Sequence, residues 1–109
     1  MNGRPAMLVT GGAKRIGAAI ARAFAEAGWH VVIHYGRSRE QAEALAAELP
    51  SAEVFSCDLD DWNAGPAMVA ELAERLEDWR VLVNCAGVFD LDTAQDLQPS
   101  VFETAMRVN

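Results

Sequence analysis

The stretch that decides the fold is Ala6–Ala27, AMLVTGGAKRIGAAIARAFAEA. Ala6, Met7, Leu8 and Val9 form a short apolar run, as expected of a strand buried on both faces. Thr10-Gly11-Gly12 breaks that run. Apolar residues then recur at Ile16, Ile20, Ala23, Phe24 and Ala27, a spacing that places them on one face of a helix. A strand, a glycine turn and a helix in immediate succession bring backbone amides close to whatever sits above the turn. Glycines admit close approach, and the first turn of a helix favours negative charge. A dinucleotide pyrophosphate meets that description. The glycines Gly11, Gly12 and Gly17 do not have the G-x-G-x-x-G spacing of the general dinucleotide fingerprint.

Working outward, Gly28 stops the first helix. The second strand is predicted over residues 29–35, Trp-His-Val-Val-Ile-His-Tyr. Ser38 with Gln41 three residues on predicts a capping box, and the helix to Leu49 turns Ala42, Leu45, Ala46 and Leu49 inward. Pro50-Ser51 ends it. A third strand over 53–57 delivers Asp58-Leu59. Asp60, Asp61, Asn63 and Gly65-Pro66 read as a polar loop, followed by a helix to about Asp78 with Val69, Leu72, Ala73 and Leu76 inward. Arg80 to Asn84 is the fourth strand, and Cys85-Ala86-Gly87 leaves it in a tight turn. Pro99 opens a further helix at its first position, with Val101, Phe102, Ala105 and Met106 apolar, cut at Asn109.

Short strands alternating with amphipathic helices predict βαβ units and a parallel sheet. Right-handed crossovers predict strand order 3-2-1-4, the first half of a doubly wound, Rossmann-like α/β fold, truncated after the fourth strand and part of the following helix. Residues 1–109 are expected to form one dinucleotide-binding domain.

The net charge of −7 disfavours a nucleic-acid surface. The clustered cations are Lys14 with Arg15 and Arg37 with Arg39, each pair following a strand. No apolar run approaches a membrane span, and the N-terminus lacks the apolar core of a secretory signal. Cys57 and Cys85 lack metal-ligand spacing and read as reduced, buried thiols of a cytoplasmic protein.

Thr10 to Gly17, T-G-G-A-K-R-I-G, resembles the T-G-x-x-x-G-x-G loop of the short-chain dehydrogenases/reductases, with Arg15 where the family's middle glycine stands. The T-G-x-x-K-R-x-G form resembles the pteridine-reductase branch in particular. So does H-Y-x-R-S at residues 34–38, where Gly36 departs from the larger residue common there. Asp58-Leu59 is similar to the family's adenine-contacting Asp-Val/Leu. Asn84-Cys85-Ala86-Gly87 looks like its N-N-A-G, with Cys85 in place of the second asparagine. Asn109, in Met-Arg-Val-Asn, resembles a helix asparagine that takes part in the family's catalysis. The resemblance runs from Met7 to Asn109.

It implies a cofactor site of Gly11, Lys14, Arg15, Ile16, Gly17, Tyr35, Arg37, Ser38, Asp58, Leu59, Asn84, Ala86 and Gly87. The cofactor expected is NADP(H): no acid follows the second strand until Glu40, a carboxylate there would repel a 2′-phosphate, and a guanidinium binds one bidentately. Plainer readings stand beside these. Arg37 is also a solvated arginine next to an N-cap serine, Asp58 a loop or cap residue, and Asn84 a brace between strands.

The family's proton chemistry rests on a Ser and a Tyr-x-x-x-Lys. Neither is present: the only tyrosine is Tyr35 and the only lysine Lys14. The expectation is therefore the N-terminal part of a longer NADP(H)-dependent reductase of a small-molecule carbonyl or C=N substrate, a pterin or dihydrofolate among the candidates. The segment alone is expected to be inactive and the parent a homo-oligomer. The alternative is a catalytically silent dinucleotide-binding or regulatory module. A phosphoacceptor domain would need acids after the first strand, and a nucleotide-sugar epimerase the loop T-G-x-x-G-x-x-G; neither is found.

Overall fold

A computed structural model describes residues 3–86 of the chain. Four strands, β1 (Ala6–Thr10), β2 (His30–Tyr35), β3 (Ala52–Ser56) and β4 (Trp79–Asn84), alternate with three helices, α1 (Arg15–Glu26), α2 (Arg39–Glu48) and α3 (Ala64–Arg75). All strand pairs are parallel and the order is β3-β2-β1-β4. The doubly wound α/β fold and its 3-2-1-4 order are thus as expected. The β1 end, Thr10, lies opposite Asn84, and Tyr35 lies opposite Ser56, so the carboxyl ends of all four strands share one rim.

The alternation of side chains along a strand divides the core in two. Met7, Val9, Val31 and Ile33 meet Ala18, Ala21 and Ala25 of α1 and Ala42 and Leu45 of α2. Ala6, Leu8 and Val32 meet Met68 and Leu72 of α3, with Leu76 and Cys57. Every residue of β1 and β2 is buried, which accounts for the apolar runs at residues 6–9 and 31–33; Thr10, His30 and His34 are buried with hydrogen-bond partners. At the amino ends of the strands His30 is held by Ser51 and Glu53, each at 2.7 Å, and Arg75 pairs with Glu53. This cluster fastens β2, β3 and α3 at the end away from the turns.

Several local details differ from the sequence expectation. The α1 face toward the sheet is Gly17, Ala18, Ala21 and Ala25, not the row of larger residues. Ile16 is 73% exposed, Ala23 and Ala27 are exposed, and Ile20 and Phe24 only flank the contact. Small residues let the helix axis come close to the strands just after a tight turn, which bulky ones would prevent. Phe24 instead packs edge-on against Trp29, ring centroids 5.1 Å apart. Ser38 sits at the N-cap of α2 but makes no side-chain capping bond, so the capping box does not form. Gly65-Pro66 belongs to the first turn of α3, where proline's missing N–H has no partner to lose. That helix buries Met68 and Leu72 and ends at Arg75; Val69 and Ala73 are exposed. Gly28 stops α1 as expected, at φ +95°. Cys57 is a buried free thiol, whereas Cys85 is only half-buried.

Candidate functional site: the rim at the strand ends

Three backbone turns meet on the rim, and two side chains hold them together. Thr10 Oγ1 donates to Asn84 Oδ1 at 2.8 Å and accepts the backbone N–H groups of Cys85 and Ala86, both at 3.1 Å. One hydroxyl thus locks the turn after β1 to the turn after β4. Asn84 braces the strands, although its residue is exposed rather than buried. On the other side, His34 is 3% exposed; its Nδ1 accepts the N–H of Gly11 at 3.0 Å, and its Nε2 lies 2.8 Å from the Cys57 carbonyl oxygen. The His34 carbonyl accepts the N–H of Gly12 at 3.0 Å. Burial pushes the His34 imidazole below its ordinary titration range, partly opposed by the bond to the Cys57 carbonyl.

The glycines answer to this packing. Gly11 has φ +63°, and a Cβ on it would stand 2.8 Å from the Ala86 Cα. A Cβ on Gly17 would overlap the Gly11 carbonyl oxygen. Main chain therefore touches main chain at both contacts. Gly36 differs: a Cβ there meets nothing closer than the Cys57 carbonyl at 4.0 Å, so the site admits the larger residue of the pteridine reductases.

Arg15 is the single non-glycine residue with positive φ among the described residues, at +53°. It occupies the left-handed conformation that a glycine takes without steric cost. At the position where the resemblance puts a glycine, Arg15 thus has a backbone of glycine-like shape. The amino end of α1, which Lys14 caps by position, has no side-chain cap and no acid in its first turn. Among the described residues no first-turn acid or side-chain cap compensates its positive end.

Charge pairing separates this rim from the rest of the surface. Arg22 pairs with Glu48, Arg39 with Glu43, Arg75 with Glu53 and Arg80 with Asp78, while Arg4 donates to the Gly28 carbonyl. Among the described residues no carboxylate pairs with Lys14, Arg15 or Arg37. In a chain of net charge −7 the unpaired cations gather beside the uncapped helix end and the end of β2. Ser38 adds a hydroxyl that capping does not consume. Tyr35 is buried at the end of β2.

Asp58 stands just beyond β3, exposed, and its Oδ1 accepts the Asp60 N–H at 3.0 Å. Its loop role is thus visible, and the second carboxylate oxygen is left over. Leu59 packs against the α3 side of the core. A largely apolar cavity of about 310 Å³ opens between α3 and β4, lined by Leu8, Leu59, Trp62, Val69 and Leu82, with Thr10, Asp61 and Asn84 as its polar lining. It contains none of Gly11 to Gly17 and not Arg37. The site residues Gly87 and Asn109 lie outside the described residues. Among the described residues no group of His, Cys, Asp or Glu has the arrangement of a metal site, and no helix is long and apolar enough to cross a membrane.

Sequence reasoning did not identify His34 as a rim residue. His34 opens the H-Y-x-R-S stretch, but neither that resemblance nor the β2 pattern, which carries His30 as well, shows that its ring holds the turn after β1. Thr10 reads in the sequence only as part of the turn, since its three partners lie more than seventy residues away.

Comparison with known proteins agrees with the geometry. The family model for short chain dehydrogenases matches residues 5–109. Versicolorin reductase 1 of Aspergillus parasiticus is 33% identical over 106 residues, covering 94% of this chain and 40% of that protein. A 3-oxoacyl-acyl-carrier-protein reductase of Staphylococcus aureus is 36% identical over 85 residues, covering 74% of this chain and 35% of that one. Among solved structures, an alternative dihydrofolate reductase of Brucella canis complexed with NADP superposes with a TM-score of 0.84 at 33% identity, covering 95% and 43% of the two chains. A short chain dehydrogenase of Burkholderia cenocepacia, also with NADP, gives 0.89 at 35% identity, covering 97% and 44%. The chain therefore spans less than half the length of these relatives. With the parallel 3-2-1-4 sheet, the glycine turn and a family match over nearly all its residues, the chain belongs to the short-chain dehydrogenase family.

Proposed function

We propose that residues 1–109 are the dinucleotide-binding portion of an NADP(H)-dependent reductase, acting on a small-molecule carbonyl or C=N substrate. The observation that carries this reading is the cluster of unpaired Lys14, Arg15 and Arg37 around the uncapped start of α1 and the end of β2. A pyrophosphate suits the helix end, and a 2′-phosphate suits a guanidinium with an adjacent hydroxyl. Two similar structures were solved with NADP, which supports the cofactor.

The Gly11 and Gly12 amides are engaged by His34, so the amides offered to phosphate are those of the following residues up to Gly17. Arg37 and Ser38 would hold the 2′-phosphate. Asp58 and Leu59 would border the adenine, and Asn84, Ala86 and Gly87 the nicotinamide-side ribose. The bound cofactor supplies a hydride. This chain's residues position it, and the proton donor must come from elsewhere, since no Tyr-x-x-x-Lys is present among these residues. Asn109 is the candidate for a catalytic-site residue within the chain. A pterin or dihydrofolate substrate is favoured by Lys14-Arg15 in the turn and by likeness to an alternative dihydrofolate reductase. The parent is read as a cytoplasmic homo-oligomer; Cys57 and Cys85 are both free thiols, as a reducing compartment would keep them.

The test is NADPH oxidation by the protein expressed from its complete reading frame, with dihydrobiopterin and dihydrofolate beside a panel of ketones and 3-oxoacyl thioesters. Turnover of the pterins above the ketones supports the reading; NADPH binding without turnover of any of them supports the silent module. The 109-residue segment is expected to bind NADPH and oxidise none. A Tyr-x-x-x-Lys downstream in the reading frame separates the two readings before any assay.

A further inference from the structure

We propose that His34 is the positioning residue of the nucleotide-binding turn: its imidazole, as the neutral Nε2–H tautomer, holds Gly11 where the phosphate-facing amides line up. The inference rests on the NADP(H) reading above. Its basis is the donor and acceptor roles at the two ring nitrogens. A carbonyl oxygen only accepts, so the Cys57 contact at 2.8 Å requires a proton on Nε2. An amide N–H only donates, so the Gly11 contact at 3.0 Å requires a lone pair on Nδ1. The backbone on both sides therefore dictates one tautomer of an uncharged ring.

The same residue accepts twice from consecutive amides, Gly11 through its ring and Gly12 through its carbonyl. The turn is then relayed onward by main-chain packing, Gly17 on the Gly11 carbonyl and Gly11 on Ala86. Releasing Gly11 shifts the start of α1, where the phosphate is held, while the strand pairing of β1 with β2 stays intact. A protonated ring would turn N–H against N–H at Gly11 and break that one bond.

Elements packed around His34 carry other titratable groups. The turn after β1 has Lys14 and Arg15, and β2 and its end have Tyr35 and Arg37. The segment after β3 has Cys57, Asp58, Asp60 and Asp61, the turn after β4 has Cys85, and α3 has Glu71, Glu74 and Arg75 toward its far end. None of them is a cause of the histidine's displacement, which comes from burial and is partly opposed by the Cys57 carbonyl.

Two amide substitutions separate the two ring contacts. His34→Asn keeps an acceptor oxygen where Nδ1 stands and drops the donor to Cys57. His34→Gln reaches the Nε2 position as a donor and drops the acceptor for Gly11. The expected result for NADPH dissociation constants at neutral pH is a shift of at most about threefold for Asn and of about tenfold or more for Gln, whatever either does to melting temperature. Amide hydrogen exchange at Gly11, without nucleotide, is expected to stay slow in the Asn variant and become fast in the Gln variant. Acidification to about pH 5.5 is expected to weaken wild-type NADPH binding more than that of His34→Asn; titration of the nucleotide's own 2′-phosphate is common to both and cancels. Equal affinity losses in the two variants, or equal Gly11 exchange, would overturn the proposal. Should the Gln variant not fold, wild-type ring nitrogen shifts decide it: the neutral Nε2–H tautomer is expected, and the Nδ1–H form refutes it. Failure of wild type to bind NADPH would bring down the cofactor reading, while the exchange contrast still reports whether His34 holds the turn.

Discussion

Removing the Thr10 hydroxyl is the sharpest test of how the rim is assembled. Valine is nearly the same shape as threonine, so Thr10→Val leaves packing in place and deletes one oxygen. That oxygen donates to Asn84 and accepts from Cys85 and Ala86. Each such bond contributes about 1 kcal/mol net. The three together suggest about 3 kcal/mol, reduced to about 2 kcal/mol because the groups are only partly buried and water can replace some of the bonding. Urea denaturation should show the midpoint falling with an unchanged slope, as expected of a lost interaction rather than a changed denatured state. Thr10→Ser returns the hydroxyl and should recover most of the loss. A double-mutant cycle with Asn84→Ala should give a coupling of about 0.5 kcal/mol or more, since the two side chains touch. A loss below about 0.5 kcal/mol, or a serine variant no better than valine, would refute the claim that this hydroxyl joins the two turns.

Other consequences are equally open to measurement. Gly17→Ala should abolish NADPH binding and destabilise the fold by about 2 kcal/mol or more, because both colliding partners are backbone, whereas Gly36→Ala should cost less than about 0.5 kcal/mol; comparable melting temperatures for the two would contradict the packing described. Arg15→Gly should raise stability by about 0.5 kcal/mol, since relief of the left-handed strain outweighs glycine's added unfolded-state freedom, yet weaken NADPH binding; a clear loss of stability would show that the positive φ carries no strain. The folded-state titration of His34 lies below its ordinary value of 6.5, so its contribution to stability is complete above that pH and is lost as pH falls toward the folded-state value. For Glu53, burial pushes the carboxyl upward, but the hydrogen bonds from Arg75 and His30 prevail and hold it low, so its contribution fades below 4.5. Denaturant midpoints should therefore decline in two stages on acidification, and His34→Asn should lack the upper one; identical curves would count against a buried neutral imidazole.

The architecture was legible because each level of the sequence agrees with the next. Apolar runs at residues 6–9 and 31–33 marked β1 and β2, turn residues bounded them, and Gly28 ended α1 where expected. What escaped was what depends on distance rather than pattern. The sheet-facing side of α1 is built from Gly17 and three alanines, and small residues leave almost no hydrophobic periodicity to detect. The larger residues nearby gave a pattern, but it marked the edge of the contact. Pro66 reads as a loop residue until Asn63 is seen to precede a helix whose first turn has no use for its N–H. Ser38 had the composition of a cap but not the geometry. At the candidate site, residue type alone made the turn, Arg37 and Asp58 candidates. His34 and Thr10 could not, because their roles are set by partners on other strands.

The central claim is that the unpaired cations at this rim read the phosphates of NADP(H). Calorimetric titration of NADPH and NADH into the wild-type protein and into Arg37→Ala tests it most directly. Wild type should bind NADPH at least about tenfold more tightly than NADH, a difference near 1.4 kcal/mol, and Arg37→Ala should remove most of that gap while leaving NADH affinity nearly unchanged. Equal affinities for the two nucleotides in the wild-type protein, or a preference that survives loss of the guanidinium, would contradict it.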